Sequence, residues 1–260
     1  MNVSLSLSNR VALITGGSRG IGAATVRLFS AAGALVLFNY RKAHAEAKAL
    51  AKECGEERCA AVQCDLTGTG TAQALVNAAV QRFGRLDIVV ANHGIWPAED
   101  TPIESMSDEH WRRTMSINLD AVFAVVKHAV AQMKKQERRG AAAGHIVLVS
   151  STSGQRGEAF HSDYSATKGA LISMTKSLSS ELIRDGIYVN CVAPGWVDTD
   201  MSGPALADPK TRNAIFSTIP LGRVGRPEEI AGPILFLCTE HAGFISGEVF
   251  NVNGGAVLVG

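Results

Sequence analysis

A tyrosine and a lysine, Tyr164 and Lys168, lie four residues apart. On a helix this spacing brings the two side chains to one face. A free tyrosine has a pKa near ~10 and is a poor proton donor or acceptor at neutral pH. A neighbouring ammonium favours the phenolate and lowers that pKa. The pair is therefore suited to give a proton to a carbonyl oxygen or to take one from an alcohol.

A serine precedes this pair at a useful distance. Ser151 lies 13 residues before Tyr164 and directly after an apolar run that we predict to be a strand. The end of a strand and the start of the next helix can face one crevice, where a hydroxyl hydrogen-bonds a substrate oxygen as charge develops. Ser150 is the neighbouring alternative, and the alternation of side chains along an extended chain lets only one of the two point inward.

A glycine-rich segment containing Gly16, Gly20 and Gly22 follows the first apolar run and precedes a helical pattern. Glycines let the backbone turn tightly there and approach a pyrophosphate, which meets the free N–H groups and the dipole of the helix. Residues 16–20 also match the Gly-x-Ser-x-Gly elbow of hydrolases, with Ser18 as nucleophile. That alternative requires an earlier strand and an oxyanion loop, which the sequence does not offer, so we predict dinucleotide binding.

The end of the second apolar run indicates which dinucleotide binds. NAD enzymes usually carry Asp or Glu there, about 20 residues beyond the glycines. This chain has Asn39, Tyr40 and Arg41 instead. Arg41, together with Arg19 of the glycine segment, would attract a 2′-phosphate, and Asn39 and Ser18 would add hydrogen bonds. The sequence therefore predicts NADP(H) as the cofactor.

The elements that position these residues alternate regularly along the chain. Short apolar runs without polar alternation are typical of strands buried on both faces, and longer amphipathic stretches separate them. This order predicts an α/β fold in which a parallel sheet of about seven strands has helices on both faces. We expect residues 1–260 to form a single doubly wound (Rossmann) domain, with ligands beyond the carboxyl ends of the strands. The runs are residues 11–15, 34–38, 60–64, 88–92, 145–150, 188–192 and 249–252, and the helical stretches are 21–32, 43–53, 71–83, 108–136, 164–184 and 228–238.

Composition excludes several classes of protein. The net charge is +1 and no basic stripe occurs, so nucleic acid is not an expected partner. No apolar stretch reaches the ~18 residues that span a bilayer, and residues 1–10 lack the features of a signal peptide, so we expect a cytoplasmic protein without a membrane partner. The odd number of cysteines suggests free thiols. The even spacing of Cys54, Cys59 and Cys64 could hold a metal, but no fourth ligand lies nearby, so we interpret them as small buried hydrophobic residues and predict no metal.

Taken together, these motifs resemble the short-chain dehydrogenase/reductase family over essentially the whole chain. Ser151, Tyr164 and Lys168 match its catalytic residues, and Asn118 matches its catalytic asparagine. The cofactor positions that the resemblance adds are Ile21 in the glycine segment, Asp65 and Leu66 at the adenine ring, Asn92 and Gly94 after the fourth strand, and Pro194, Gly195, Val197 and Thr199 at the nicotinamide carboxamide.

The resemblance implies a mechanism in which hydride passes between the nicotinamide ring and a carbonyl carbon. Tyr164 protonates the carbonyl oxygen and Ser151 positions it. Lys168 binds the ribose and lowers the pKa of Tyr164. Asn118 holds a water that links Lys168 to solvent.

The last forty residues are similar to bacterial 3-oxoacyl-[acyl-carrier-protein] reductases. This similarity implies a 3-oxoacyl thioester substrate, docking of an acyl carrier protein, and a homotetramer formed through the helices near 108–136 and 164–184. Asp185 stands where those reductases carry a base, and the stretch 138–143 is an addition in which Arg138 and Arg139 either compensate or are ordinary solvated charges. Carrier docking, other substrates (a sugar, polyol, steroid-like or xenobiotic ketone) and a redox-silent cofactor-binding protein therefore stay open.

Substrate recognition belongs to the segments that flank the catalytic residues. His93 replaces an alanine of the family pattern and is either a substrate contact or a packed histidine. We expect residues 201–220, which contain Gly203, Pro204 and Pro209, to form a mobile loop over the substrate. The further substrate candidates are Trp96, Glu158, Phe160, His161, Trp196 and Met201, whose aromatic members serve either packing or recognition.

Overall fold

Seven apolar segments pair into one parallel sheet in the computed structural model, which describes residues 4–140 and 142–259. The strand order is β3-β2-β1-β4-β5-β6-β7. The order reverses between β1 and β4, which opens a crevice at the carboxyl ends of these strands. The predicted doubly wound α/β fold is confirmed. The strands are β1 (Val11–Ile14), β2 (Leu35–Tyr40), β3 (Cys59–Gln63), β4 (Ile88–Ala91), β5 (Gly144–Val149), β6 (Ile187–Pro194) and β7 (Val249–Val252).

Helices cover both faces of the sheet and divide the core into two layers. One layer packs α1, α2 and α10 against the sheet, and the other packs α3, α5 and α7. The helices in the described residues are α1 (Gly20–Ala31), α2 (His44–Glu53), α3 (Thr71–Phe83), α4 (Asp108–Met115), α5 (Ala121–Met133), α6 (Thr152–Arg156), α7 (Ser162–Leu182), α8 (Gly203–Ala207), α9 (Pro209–Ser217) and α10 (Pro227–Leu237).

The long helix predicted over residues 108–136 is interrupted. A π-helical turn, Ser116–Asp120, lies between α4 and α5, and α5 ends at Met133. Such turns widen a helix locally and are frequent at functional sites. Asn118 lies in this turn and is fully buried.

The segment 201–220 differs from the loop that its glycine and prolines suggested. It contains the two short helices α8 and α9, each with a proline in its first turn. Proline is tolerated there because the first N–H groups of a helix have no partner within the helix. Pro204 and Pro209 therefore begin helices in this chain.

The cysteines are free thiols with different exposure. Cys59, Cys191 and Cys238 are buried. Cys54 and Cys64 are only half-buried, which corrects the expectation that both are buried like Cys59. Burial raises the pKa of Cys59 to about 12. In residues 4–140 and 142–259, no helix is both long and apolar enough to cross a bilayer. Residues 1–3 of the segment 1–10 and Ala141 of the stretch 138–143 lie outside the described residues.

Candidate active site

The predicted site residues surround one cleft at the carboxyl ends of the strands. All of the predicted cofactor residues except Gly22 line it, and so do Ser151, Tyr164 and Lys168. Gly22 and Asn118 lie directly behind the lining. The substrate candidates that line the cleft are His93, Trp96, Glu158, Trp196 and Met201.

The glycine segment forms a tight cradle between β1 and α1. Gly16 and Gly20 have φ values of +64° and +52°, which disfavour other residues. A Cβ on Gly22 would lie 2.1 Å from the carbonyl oxygen of Gly16. No side chain caps the N-terminus of α1 within the described part of the chain. The first N–H groups of α1 are therefore free to bind an anion, and this cradle fits a pyrophosphate.

Two asparagines hold the cradle in place. Asn39 Oδ1 accepts a hydrogen bond of 2.9 Å from the N–H of Gly16, and its Nδ2 donates to the carbonyl of Cys64 at 3.0 Å. Asn92 Nδ2 donates to the carbonyls of Thr15 and Gly16. Asn39 therefore holds the cradle through its Oδ1 and one N–H of its Nδ2, and its contact with a 2′-phosphate stays a prediction.

Basic side chains stand at the end of β2 and beside the cradle. Arg19 Nη1 lies 2.9 Å from Asp200 Oδ2, and both side chains are more than half exposed. The Arg41 guanidinium approaches Asp65 only to 3.9 Å. Exposed pairs of this kind contribute at most about 1 kcal/mol, so a phosphate can compete for both arginines. Tyr40 differs from them, since its hydroxyl is hydrogen-bonded to Nδ1 of His44 at 2.7 Å.

The two serines after β5 have separate roles. Ser150 is buried, and its hydroxyl donates to the carbonyl of Lys168 at 2.7 Å. Ser151 is half-buried, and its Oγ accepts the N–H of Ser153 at 3.1 Å. The Ser151 hydroxyl is near enough to the phenol of Tyr164 to lower the pKa of that phenol, against the larger effect of burial. Ser151 is thus the serine that faces the tyrosine.

The electrostatics of Tyr164 and Lys168 differ from the sequence expectation. Burial raises the pKa of Tyr164 to about 12; the Ser151 hydroxyl opposes this shift and the Glu158 carboxylate adds to it. Burial lowers the pKa of Lys168 to about 8. Lys168 Nζ donates to the carbonyl of Val149 at 2.8 Å and lies 5.6 Å from the centre of the Tyr164 ring. Desolvation of the phenol therefore outweighs the expected lowering of its pKa by the ammonium.

The Asn118 side chain ties the π-helical turn to the segment after β4. Its Nδ2 donates to the carbonyl of Ile95 and to Thr167 Oγ1, and its Oδ1 accepts the N–H of Ile95 at 2.8 Å. A Cβ on Gly94 would lie 3.2 Å from Asn118 Oδ1 and 3.6 Å from Lys168 Nζ. Asn118 is therefore beside Lys168, but both of its amide N–H groups are already used, so a relay water has only the amide oxygen to bind on this side chain.

His93 is fixed in the cleft lining by a hydrogen bond. Its Nδ1 lies 2.7 Å from Thr15 Oγ1. Burial, with a smaller contribution from the Lys168 ammonium, lowers the pKa of His93 to about 4. The bond to Thr15 agrees with a packed histidine, but Nε2 has no hydrogen-bond partner among the described residues, so contact with a bound molecule stays a prediction.

Aromatic residues form the outer part of the cleft. The Trp96 ring packs against Trp196 and against His161, which is buried behind it. Phe160 differs from the expectation, because it is half exposed with φ of +66° and lies outside the cleft lining. The positive φ turns its backbone so that its carbonyl accepts the N–H of Thr101.

Sequence reasoning missed several residues that line the cleft, among them Ile95, Arg156 and Asp200. Asp200 directly follows Thr199 and pairs with Arg19. Arg156 lies at the end of α6, between Ser151 and Tyr164. The only sequence signal for Arg156 was its position between the two catalytic residues. No sequence signal indicated that Asp200 pairs with Arg19, which is 181 residues away.

Comparisons with known proteins agree with this geometry. A family model described as enoyl-(acyl carrier protein) reductase matches residues 16–257. A 3-oxoacyl-[acyl-carrier-protein] reductase of Synechocystis is 37% identical, covering 97% of this chain and 99% of the relative. The cis-4-hydroxycyclohexanecarboxylate dehydrogenase of Sinomonas cyclohexanicum is also 37% identical, covering 98% and 99%. The crystal structure of a glucose/ribitol dehydrogenase-type protein of Brucella melitensis superposes with a TM-score of 0.89 at 36% identity, covering 99% of this chain and 100% of that one.

Proposed function

The chain belongs to the short-chain dehydrogenase/reductase family, and we propose that it reduces the carbonyl group of a small-molecule substrate with NADPH. The observation that carries this proposal is the convergence of Ser151, Tyr164 and Lys168 on a cleft whose other end is the glycine cradle. When bound, NADPH supplies the hydride that reduces the carbonyl carbon.

The residues of the chain handle the oxygen and its proton. Tyr164 donates the proton from its hydroxyl to the substrate oxygen, and Ser151 hydrogen-bonds the same oxygen and orients it. A pKa of about 12 keeps the Tyr164 hydroxyl protonated but makes it a weak acid, so the transfer relies on the Lys168 ammonium and the Ser151 hydroxyl to stabilise the phenolate that forms. Lys168, with a pKa near 8, can return a proton toward the tyrosine. Asn118 positions the segment after β4 beside Lys168 through its bonds to Ile95.

Several residues would hold the cofactor. The pyrophosphate would lie against Gly16, Gly20 and the first turn of α1, where the N–H groups are free. Arg41 and Arg19 would bind the 2′-phosphate, which supports NADPH over NADH because no carboxylate ends β2 in this chain.

The substrate belongs to one of two classes that relatives suggest. The Synechocystis relative is named for 3-oxoacyl thioesters, which agrees with the first expectation from the sequence. The Sinomonas relative is named for a ring alcohol, which agrees with the alternative of a different small ketone or alcohol. Docking of an acidic carrier has less support, because Asp185 lies 2.6 Å from Lys134 and neutralises that base. We therefore propose a free or coenzyme A-linked substrate.

A homotetramer remains part of the proposal. Phe123 on α5 is 54% exposed on one of the long helices that would form the interface. Packing this side chain and the exposed Trp111 of α4 against a second copy of the chain would remove apolar area from water. Light scattering of the purified protein tests this point directly.

The test of the reaction is NADPH oxidation with acetoacetyl-CoA and a panel of simple ketones, repeated with NADH. We expect turnover with NADPH and its loss in Tyr164→Phe, while the variant still binds NADPH. Undiminished turnover in Tyr164→Phe would refute the assigned role. A redox-silent protein would show no turnover in either form.

The cofactor assignment has its own test. Arg41→Ala removes charge-assisted hydrogen bonds worth about 1.5–3 kcal/mol each, so the NADPH-to-NADH preference should fall by at least about tenfold. Arg82→Ala, an arginine on α3 that pairs with Glu57, is the matched control and should keep the preference. An unchanged preference in Arg41→Ala would show that the end of β2 does not select the 2′-phosphate.

A further inference from the structure

Two tryptophans bridge the substrate side of the cleft. Trp96 follows β4 and Trp196 follows β6, and these strands flank β5, whose end carries Ser151. The two indole rings meet edge to face, with their centres 5.5 Å apart at an angle of 82°. Because the strands on both sides of β5 supply the two rings, the contact crosses the cleft beside the catalytic serine.

Trp96 is held from a second side. The ring of His161 packs against it with centres 5.0 Å apart. His161 is only 4% exposed, and it precedes the first turn of α7, which carries Tyr164. Nε2 of His161 lies 3.5 Å from Asp100 and 3.9 Å from Glu158, so carboxylates flank the histidine. Trp96 is therefore fixed between two aromatic neighbours, in a position tied to the helix of the proton donor.

The two indole rings, fixed nearly at right angles to each other, form a corner that discriminates between substrates by shape. A compact rigid ring can place its apolar faces on both indoles without losing internal freedom, whereas an open chain must order several rotatable bonds to do so. The corner thus favours a ring that holds the reacting carbon beside Ser151 and Tyr164.

We propose that Trp96 and Trp196 form a recognition subsite for compact cyclic ketones, in which the carbonyl carbon is a member of a carbocyclic ring. This inference rests on the proposed carbonyl reductase function and assigns its substrate class. Both tryptophans then act as specificity-determining residues, and His161 acts as a positioning residue that keeps Trp96 in place.

The test compares two ketones with six carbons, cyclohexanone and 2-hexanone, in wild type and variants. The ratio of their kcat/KM values with NADPH should fall about tenfold in Trp96→Ala and in Trp196→Ala. Comparing variants cancels the greater intrinsic reactivity of the ring ketone. Phe160→Ala is the matched control, since it truncates a neighbouring aromatic residue outside the cleft lining, and it should keep the wild-type ratio.

Three results would overturn the inference while leaving carbonyl reduction standing. These are an unchanged ratio in both tryptophan variants, an equal fall in Phe160→Ala, and a higher wild-type kcat/KM for acetoacetyl-CoA than for cyclohexanone. If Trp96→Ala does not fold, Trp96→Leu keeps apolar volume without an aromatic face and takes its place.

A binding measurement separates this inference from the proposed function. Calorimetric titration of NADPH-loaded Tyr164→Phe with both ketones should show tighter binding of cyclohexanone, lost when Trp196→Ala is added. If wild type reduces no ketone, the proposed function fails, and this titration alone decides the subsite. Equal or absent binding of the two ketones would refute the subsite.

Discussion

Gly22→Ala tests whether the cradle at the start of α1 depends on close backbone contact. The added Cβ would lie 2.1 Å from the carbonyl oxygen of Gly16 and 2.7 Å from Asn92 Nδ2. The first contact involves backbone, so the segment must move, at a cost of about 1–3 kcal/mol. The shift also breaks the hydrogen bond from Asn92 to Gly16, worth about 1 kcal/mol. Alanine recovers about 0.5–1 kcal/mol as the better helix former.

The expected net loss is about 2 kcal/mol of the free energy of unfolding, or about 4–8 °C in Tm for a chain of this size. Because Gly16 shapes the cradle, NADPH affinity should fall at least about tenfold. Urea unfolding and a fluorescence titration with NADPH measure the two effects. Gly225→Ala is the matched control, since its Cβ would meet neighbours only at 3.7 Å or more. Wild-type stability and NADPH affinity in Gly22→Ala would refute the reasoning.

Three other perturbations follow from buried contacts. Gly154→Ala would place a Cβ 2.5 Å from the carbonyl carbon of Lys168. Because this contact would displace the helix that carries Tyr164 and Lys168, we expect kcat to fall at least about tenfold with NADPH binding retained. Equal kcat values in variant and wild type would contradict the close packing. The lowered pKa of His93, about 4 against an ordinary 6.5, means that the unfolded chain binds more protons between these values, so stability falls as pH drops from 6.5 to 4. His93→Ala should flatten this fall in urea titrations at several pH values, and an unaltered slope would contradict it. Asp87→Ala removes a buried carboxylate that pairs with the partly exposed Arg10 and Arg85 and accepts the N–H of Val11, so it should cost about 3 kcal/mol. Asp185→Ala removes a half-exposed pair and should cost at most about 1 kcal/mol. Similar losses in thermal unfolding would contradict the difference in burial.

The sequence predicted the fold because the signals for it are local. Each strand is a contiguous apolar run, so the alternation of runs and helical stretches needs no knowledge of distant contacts. Where a local signal has two structural meanings, the prediction failed. Pro204 and Pro209 mark loops or first turns of helices equally well, and only packing of 201–220 made them helix starts. The π-helical turn around Asn118 carries no spacing signal of its own.

The candidate site likewise has a part that the sequence predicted and a part that only the tertiary structure decided. The spacing of Gly16, Gly20 and Gly22, and of Tyr164 and Lys168, indicated the chemistry from the sequence alone, because each motif acts within one turn or one helix. Only the tertiary structure decided that Ser151 faces the tyrosine, because burial of Ser150 against α7 sets which hydroxyl points into the cleft.

Contacts between distant segments could not be predicted from the sequence, because they depend on how the strands are arranged in the sheet. The use of Asn39 by the cradle and the bridge between Trp96 and Trp196 depend on which strands are neighbours and in what register. The pKa of Tyr164 depends on how completely the assembled chain removes water from the phenol. The sequence by itself determined the fold class and the reacting groups, and the packing of the sheet and its connecting segments decided their electrostatics and the shape that a substrate must have.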